Sequence, residues 1–195
     1  EMPSDIRDRF LSDAPQTATP LIDILHDVEN TVMAYPMGNT HPRFWAWYMG
    51  TSNFTGALAD FIAAVQGSNL GGGNHAAALM DQQVVRWLRQ MVGMPEGASG
   101  TLVSGGSVAN LVGLTIARNS KAGIDIREEG LMAMPAPLRF YGSDQMHSCH
   151  QQAMETLGLG NRALSRIRSG DDLTMNLNEL KAAVANDRMN GIVPA

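Results

Sequence analysis

Apolar positions recur with helical spacing in the first half of the chain and condense into short strand-like runs in the second. Leu21, Ile22, Leu25, Val28 and Val32 predict a helix, with Pro20 at its first position after Thr19 and with Pro36 and Gly38 ending it. Residues 1–19 before it are polar, carry Pro3 and Pro15, and read as a loosely held arm. Residues 54–65 predict a second helix, broken by the glycine-rich stretch 67–73. A third runs over 76–91, where Leu79, Val84, Leu88 and Met91 are apolar and Gly93-Met94-Pro95 is the stop.

From Gly100 the pattern changes to short apolar runs alternating with helical segments. Thr101-Leu102-Val103 predicts a strand, Ser104-Gly105-Gly106-Ser107 a tight loop, and 108–119 a helix. Arg139-Phe140-Tyr141 is a second strand, followed by a helix over 145–157; 163–167 is a third strand. Asn176, with Glu179 three residues on, resembles a capping box for a helix reaching Arg188, and Gly191-Ile192-Val193 begins a fourth strand. This alternation is that of an α/β domain with a largely parallel sheet covered on both faces. Because Ile192 and Val193 are apolar with nothing after them to cover the sheet, the large domain is expected to be incomplete. The expected organisation is an N-terminal helical segment with an aromatic loop over 1–55, then the first part of the large domain over 56–195.

A hydrophobic fraction of 44% supports a packed core, and a net charge of −5 does not suit a nucleic-acid-coating surface. No apolar run is long enough to span a membrane, and the charged opening residues do not form a signal peptide. The lone Cys149 excludes an intrachain disulfide and fits a reducing cytoplasm. There are only two lysines, Lys121 and Lys181, which limits any chemistry that needs a buried amine.

Two segments carry candidate chemistry. In residues 104–107 the paired glycines leave backbone N–H groups uncovered, and the helix that follows adds the positive end of its dipole. With the Ser104 and Ser107 hydroxyls this makes an anion site suited to a phosphate, although the same turn also occurs where nothing binds. The segment 141–148, Tyr-Gly-Ser-Asp-Gln-Met-His-Ser, also follows a strand, so it should lie at the same carboxyl-end edge of the sheet. His147 in the first helical turn could stack on a flat ring and shuttle a proton, or simply cap its helix. His147, Cys149 and His150 are too few for a metal site, and Cys149 has no oriented base that would make it a nucleophile. Phe44, Trp45, Trp47 and Tyr48 crowd one short stretch, as a buried aromatic plug or as the wall of an apolar ligand pocket.

Residues 104–111 (Ser-Gly-Gly-Ser-Val-Ala-Asn-Leu), 143–148 (Ser-Asp-Gln-Met-His-Ser) and 41–44 (His-Pro-Arg-Phe) resemble the group II pyridoxal-phosphate decarboxylases, among them the aromatic-amino-acid, glutamate, histidine and diaminobutyrate enzymes. The resemblance runs from about Pro20 to the last residue. It implies a fold-type I homodimer using pyridoxal 5'-phosphate to convert an L-amino acid, expected to be aromatic, to its amine and CO2. By position it gives Gly106 and Ser107 the cofactor phosphate and His147 the pyridine ring and a protonation role. It sets Trp47 and Tyr48 against the substrate, and the helix over 21–32 against a partner subunit. The family has a proline or threonine after the aromatic pair, where this chain has Met49-Gly50, and the glycine run 71–73 is unusual for the region. Its Schiff-base lysine and the aspartate pairing the pyridine nitrogen lie downstream. Neither Lys121 nor Lys181 has the preceding histidine and strand, so the chain alone is expected to be inactive. Other readings are a different fold-type I enzyme, such as a carbon–carbon lyase, or a non-catalytic phosphate-binding fragment.

Overall fold

A computed structural model of the chain describes residues 3–50, 52–72 and 74–195. Glu1 and Met2 of the expected arm, Thr51 of the expected N-terminal segment and Gly73 of the glycine-rich break lie outside the described residues. The chain divides into two compact units, 1–69 and 70–195.

The first unit holds α1 (Ser4–Arg9), α2 (Leu21–Val28), which continues as one π-helical stretch (Glu29–Met33), and α3 (Phe54–Gln66). The arm is thus partly helical: Asp5 in the first turn and Arg7 and Arg9 in the last suit the helix dipole, and Arg9 pairs with Asp27 of α2. Where α2 loosens, Asn30 Nδ2 and Thr31 Oγ1 bond back to the His26 and Asp27 carbonyls. Asn53 caps α3 by accepting the Gly56 N–H at 2.8 Å, and Gly67 at φ +60° ends it. Thr31 is the one buried residue among the described residues of this unit. The apolar faces of α2 and α3 are exposed.

The second unit runs α4 (Ala76–Met91), α5 (Gly106–Lys121), α6 (Ile126–Glu129), β1 (Leu138–Ser143), α7 (Cys149–Thr156), β2 (Leu164–Ile167), α8 (Leu177–Met189) and β3 (Val193–Pro194). The strands form a parallel sheet in the order β2-β1-β3, with Phe140 opposite Leu164 and Leu138 opposite Val193. Pro194 fits because Val193 and Ala195 donate to the Pro137 and Arg139 carbonyls, so no N–H is needed between them.

β1 alternates as a strand covered on both faces must. Leu138 and Phe140 enter the core with Met154 and Leu157, and Leu111 and Leu114 of α5 pack against that cluster. Arg139 and Tyr141 point the other way and meet the buried Asp187 of α8. The Tyr141 hydroxyl donates to Asp187 at 2.7 Å, and Arg139 Nε lies 3.3 Å from the same carboxylate. Burial first, and then the Asp187 bond, push the Tyr141 phenol up to about 12.

Three expectations are corrected. Residues 101–103 are not a strand: no neighbouring strand lies beside them among the described residues, and a strand without a ladder has nothing to hold its backbone. Helix α5 begins at Gly106 rather than 108, so Gly106 and Ser107 are its first residues. Helix α7 begins at Cys149 rather than 145, because the intervening residues are drawn into other bonds described below.

Candidate functional site

Strand β1 is central, and the chain leaves it first for β2 on one side and then, through α8, for β3 on the other. Crevices at the carboxyl ends of strands around such a reversal are where α/β sheets collect ligands. The residues at that end of β1 are Ser143 and the loop 144–148.

Helix α5 lies against α7. Asn110 Nδ2 donates to Cys149 Sγ at 3.3 Å near the start of each helix, and Arg118 Nη1 donates to the Leu157 carbonyl at 3.3 Å past their midpoints. The two helices therefore run parallel, with both N-termini at one end. That arrangement brings Gly106 and Ser107 to the same end as His147. A groove of about 150 Å³ between the helices is lined by Ser107, Val108, Leu111, Cys149, Gln152 and Thr156.

At the start of α5 the Ala109 N–H makes the first helical bond, to the Gly105 carbonyl. No side chain caps the helix, so the N–H groups of Gly106, Ser107 and Val108 are offered outward. A Cβ added at Gly105 or Gly106 would meet nothing within 4 Å. An anion at this helix start would face three backbone donors, the Ser107 hydroxyl and the positive end of a 16-residue helix.

His147 is exposed and precedes α7 rather than sitting in its first turn. Its Nδ1 accepts the Cys149 N–H at 3.1 Å. The ring thus caps the helix, and by doing so it fixes its own neutral tautomer, with the proton on Nε2. Capping and an outward Nε2–H are two consequences of one bond. The His147 carbonyl is held in turn by His150, whose Nδ1 lies 2.9 Å away.

Asp144 and Ser169, which sequence reasoning did not single out, fasten this loop. Asp144 Oδ1 accepts the Ser169 hydroxyl at 2.6 Å and the Ser169 N–H at 3.1 Å, while the Asp144 N–H donates to the Ile167 carbonyl at 2.9 Å. The Ser169 hydroxyl foremost holds the Asp144 carboxyl below the usual carboxylate range. Asp187 was also missed. Its signal was there: a carboxylate in the last turn of a helix opposes the dipole and implies a partner elsewhere.

Trp47 and Tyr48 belong to the first unit. Trp47 is tilted against Phe44 with ring centroids 5.8 Å apart, and Tyr48 is fully exposed. The buried-plug reading is therefore set aside: Trp45 is 90% exposed and Trp47 66%. Lys121 and Lys181 are both exposed.

A family model described as the pyridoxal-dependent decarboxylase conserved domain matches residues 3–195. The chain is 32% identical over 98% of its length to an aromatic-L-amino-acid decarboxylase of Bacillus atrophaeus, of which it covers 38%. It is 25% identical to a glutamate decarboxylase of Drosophila melanogaster, again covering 38% of that protein. Its fold matches the glutamate decarboxylase domain of a Vibrio parahaemolyticus diaminobutyrate-pyruvate transaminase and L-2,4-diaminobutyrate decarboxylase, with a TM-score of 0.90 and 24% identity, over 99% of this chain and 43% of that one. The chain thus spans about two fifths of the length of these proteins.

Proposed function

The chain belongs to the pyridoxal-dependent decarboxylase family, and from that premise we propose that it serves the decarboxylation of an L-amino acid to its amine and CO2, with pyridoxal 5'-phosphate as cofactor. The observation that carries this reading is the shared end of α5 and α7, where uncapped N–H groups stand with an exposed imidazole of fixed tautomer. An anion bearing a flat ring fits both features.

Bound pyridoxal phosphate supplies an electron sink for the carbanion left at the α-carbon when CO2 departs. The chain's own part is to bind, orient and protonate. Gly106 and Ser107 would hold the phosphate through their backbone N–H groups, the Ser107 hydroxyl would add a further donor, and the α5 dipole would favour the negative charge. His147 would lie against the pyridine ring and assist protonation of the α-carbon, regaining from solvent the proton it passes on at Nε2. Because Nδ1 is tied to the Cys149 N–H, the ring cannot turn over without losing a bond. Neither exposed lysine is suited to anchor the cofactor, so in this reading the anchoring lysine lies outside the chain.

An aromatic substrate is the favoured one. Its support is the similarity to the Bacillus atrophaeus protein, together with the family resemblance that sets Trp47 and Tyr48 against the substrate. A homodimer and a cytoplasmic setting belong to the same proposal, supported by the exposed apolar faces of α2 and α3 and by the single cysteine.

The test is CO2 and amine release by the full-length protein with pyridoxal phosphate, offered phenylalanine, tyrosine, tryptophan and glutamate in parallel. Release is expected from the aromatic substrates. His147→Phe, which keeps a flat surface but has no proton to give, should retain cofactor and lose turnover by roughly 10²-fold. Full turnover in that variant at full cofactor occupancy would remove His147 from proton transfer. Release from glutamate alone would overturn the aromatic assignment.

A further inference from the structure

We propose that Asp144 is a positioning residue for His147, acting through the bonds its carboxylate accepts from Ser169; this rests on the reading of His147 given above. The loop between β1 and α7 is held at both ends. At its start the Ser143 hydroxyl accepts the Gln145 N–H at 3.2 Å, and the Ser143 carbonyl accepts the Met146 N–H at 3.2 Å. At its end Cys149 bonds the His147 ring. Between them, one Asp144 oxygen takes both donors of Ser169 and a third from Gln145 Nε2 at 3.3 Å.

Ser169 is itself a fixed point. It pairs with Met175 across a small hairpin that Gly170 and Thr174 close at 2.9 Å. Asp172 locks the hairpin by accepting the Thr174 hydroxyl and N–H. The Asn176 N–H then ties the hairpin's exit to the Arg168 carbonyl at 2.9 Å.

The consequence concerns where α7 starts. The sequence pattern favours a helix from 145, and in such a helix the Cys149 N–H would bond the Gln145 carbonyl four residues back. The His147 ring would then lose its donor and turn with the first helical turn. The latch to Ser169 holds Asp144 on the β2 side and keeps residues 144–148 out of the helix. It thereby leaves the Cys149 N–H for His147 Nδ1.

The experiment uses the full-length protein and four variants: Asp144→Ala, Asp144→Asn, Ser169→Ala and the double Asp144→Ala/Ser169→Ala. One readout is the ring-nitrogen NMR of His147 without cofactor, identified by its loss in His147→Phe. The other is kcat with cofactor bound. Asp144→Ala should move the ring from a single Nε2–H tautomer to a mixture and lower kcat by about 10-fold or more, the scale of a displaced reacting group. Cofactor affinity should change little, because the phosphate contacts are on α5. Asp144→Asn keeps an accepting oxygen and should restore both readouts, and the double variant should be no worse than Asp144→Ala. Parental tautomer and kcat in Asp144→Ala, or losses that add in the double, would overturn the proposal. If Asp144→Ala does not fold, Ser169→Ala, which leaves the Ser169 N–H in place, decides by the same two readouts. A parent that releases no CO2 would refute the proposed activity, whereas the ring-nitrogen readout tests the latch without cofactor or turnover.

Discussion

Tyr141 shows how one residue can be tested apart from any activity. Its phenol is raised from 10.0 to about 12 by burial and by its bond to Asp187. A folded-state value above the unfolded one means that its stabilising contribution is whole below pH 10.0 and is lost as pH rises toward about 12. Absorbance titration of the parent against Tyr141→Phe should therefore reveal one phenol ionising near the top of that range, together with onset of alkaline unfolding. A difference spectrum titrating at the ordinary tyrosine value would contradict the burial. Tyr141 was legible as a strand residue, but its partner was not, since Asp187 lies 46 positions away and only folding brings them together. The same holds for Asp144 and Ser169, 25 positions apart. By contrast Gly106, Ser107 and His147 were readable as site candidates because their chemistry is local: two adjacent glycines before a helix, and an imidazole after a strand.

At the scale of elements, the local rules served where the determinants are local. Helix α4 occupies the residues its apolar spacing predicts, and α3 differs by one residue at its end. Helix α8 begins where Asn176 signals, its side chain accepting the Asn178 and Glu179 N–H groups at 3.0 and 3.1 Å. Asn176→Ala should destabilise the protein by about 1 kcal/mol in urea unfolding; no change would show that the cap contributes nothing here. Helix α7 ends in a Schellman turn: the Gly158 N–H reaches the Glu155 carbonyl and the Leu159 N–H the Met154 carbonyl, both at 3.0 Å. Gly158 sits at φ +70°, and a Cβ there would lie 2.7 Å from Leu131 Cδ1. Gly158→Ala is expected to cost about 1–2 kcal/mol from the left-handed backbone, and more if Leu131 does not yield. Parental stability in that variant would mean that the turn relaxes. The strand expected over 101–103 failed for the opposite reason: a strand is defined by its neighbour, which its own residues do not encode.

For the whole molecule, the most visible feature is the contrast between the packed core around β1 and α7 and the helices α2, α3 and α4, whose apolar residues face outward. Phe54, Leu58, Phe61, Ile62 and Val65 form one helical stripe on α3, and all are exposed. Such a stripe fits the subunit contact proposed above. In the full-length protein, Leu58→Glu with Phe61→Glu should convert dimer to monomer in size-exclusion chromatography; an unchanged elution position would place the contact elsewhere. The central claim is that the N-terminus of α5 holds the cofactor by its phosphate, and it is tested most directly by titrating the full-length protein with pyridoxal phosphate and with phosphate-free pyridoxal, in the parent and in Ser107→Asp. The parent should bind the phosphate form far more tightly, and Ser107→Asp should abolish most of that preference by setting a carboxylate against the dianion. Equal affinity of the parent for the two compounds, or an undiminished preference in Ser107→Asp, would contradict the account.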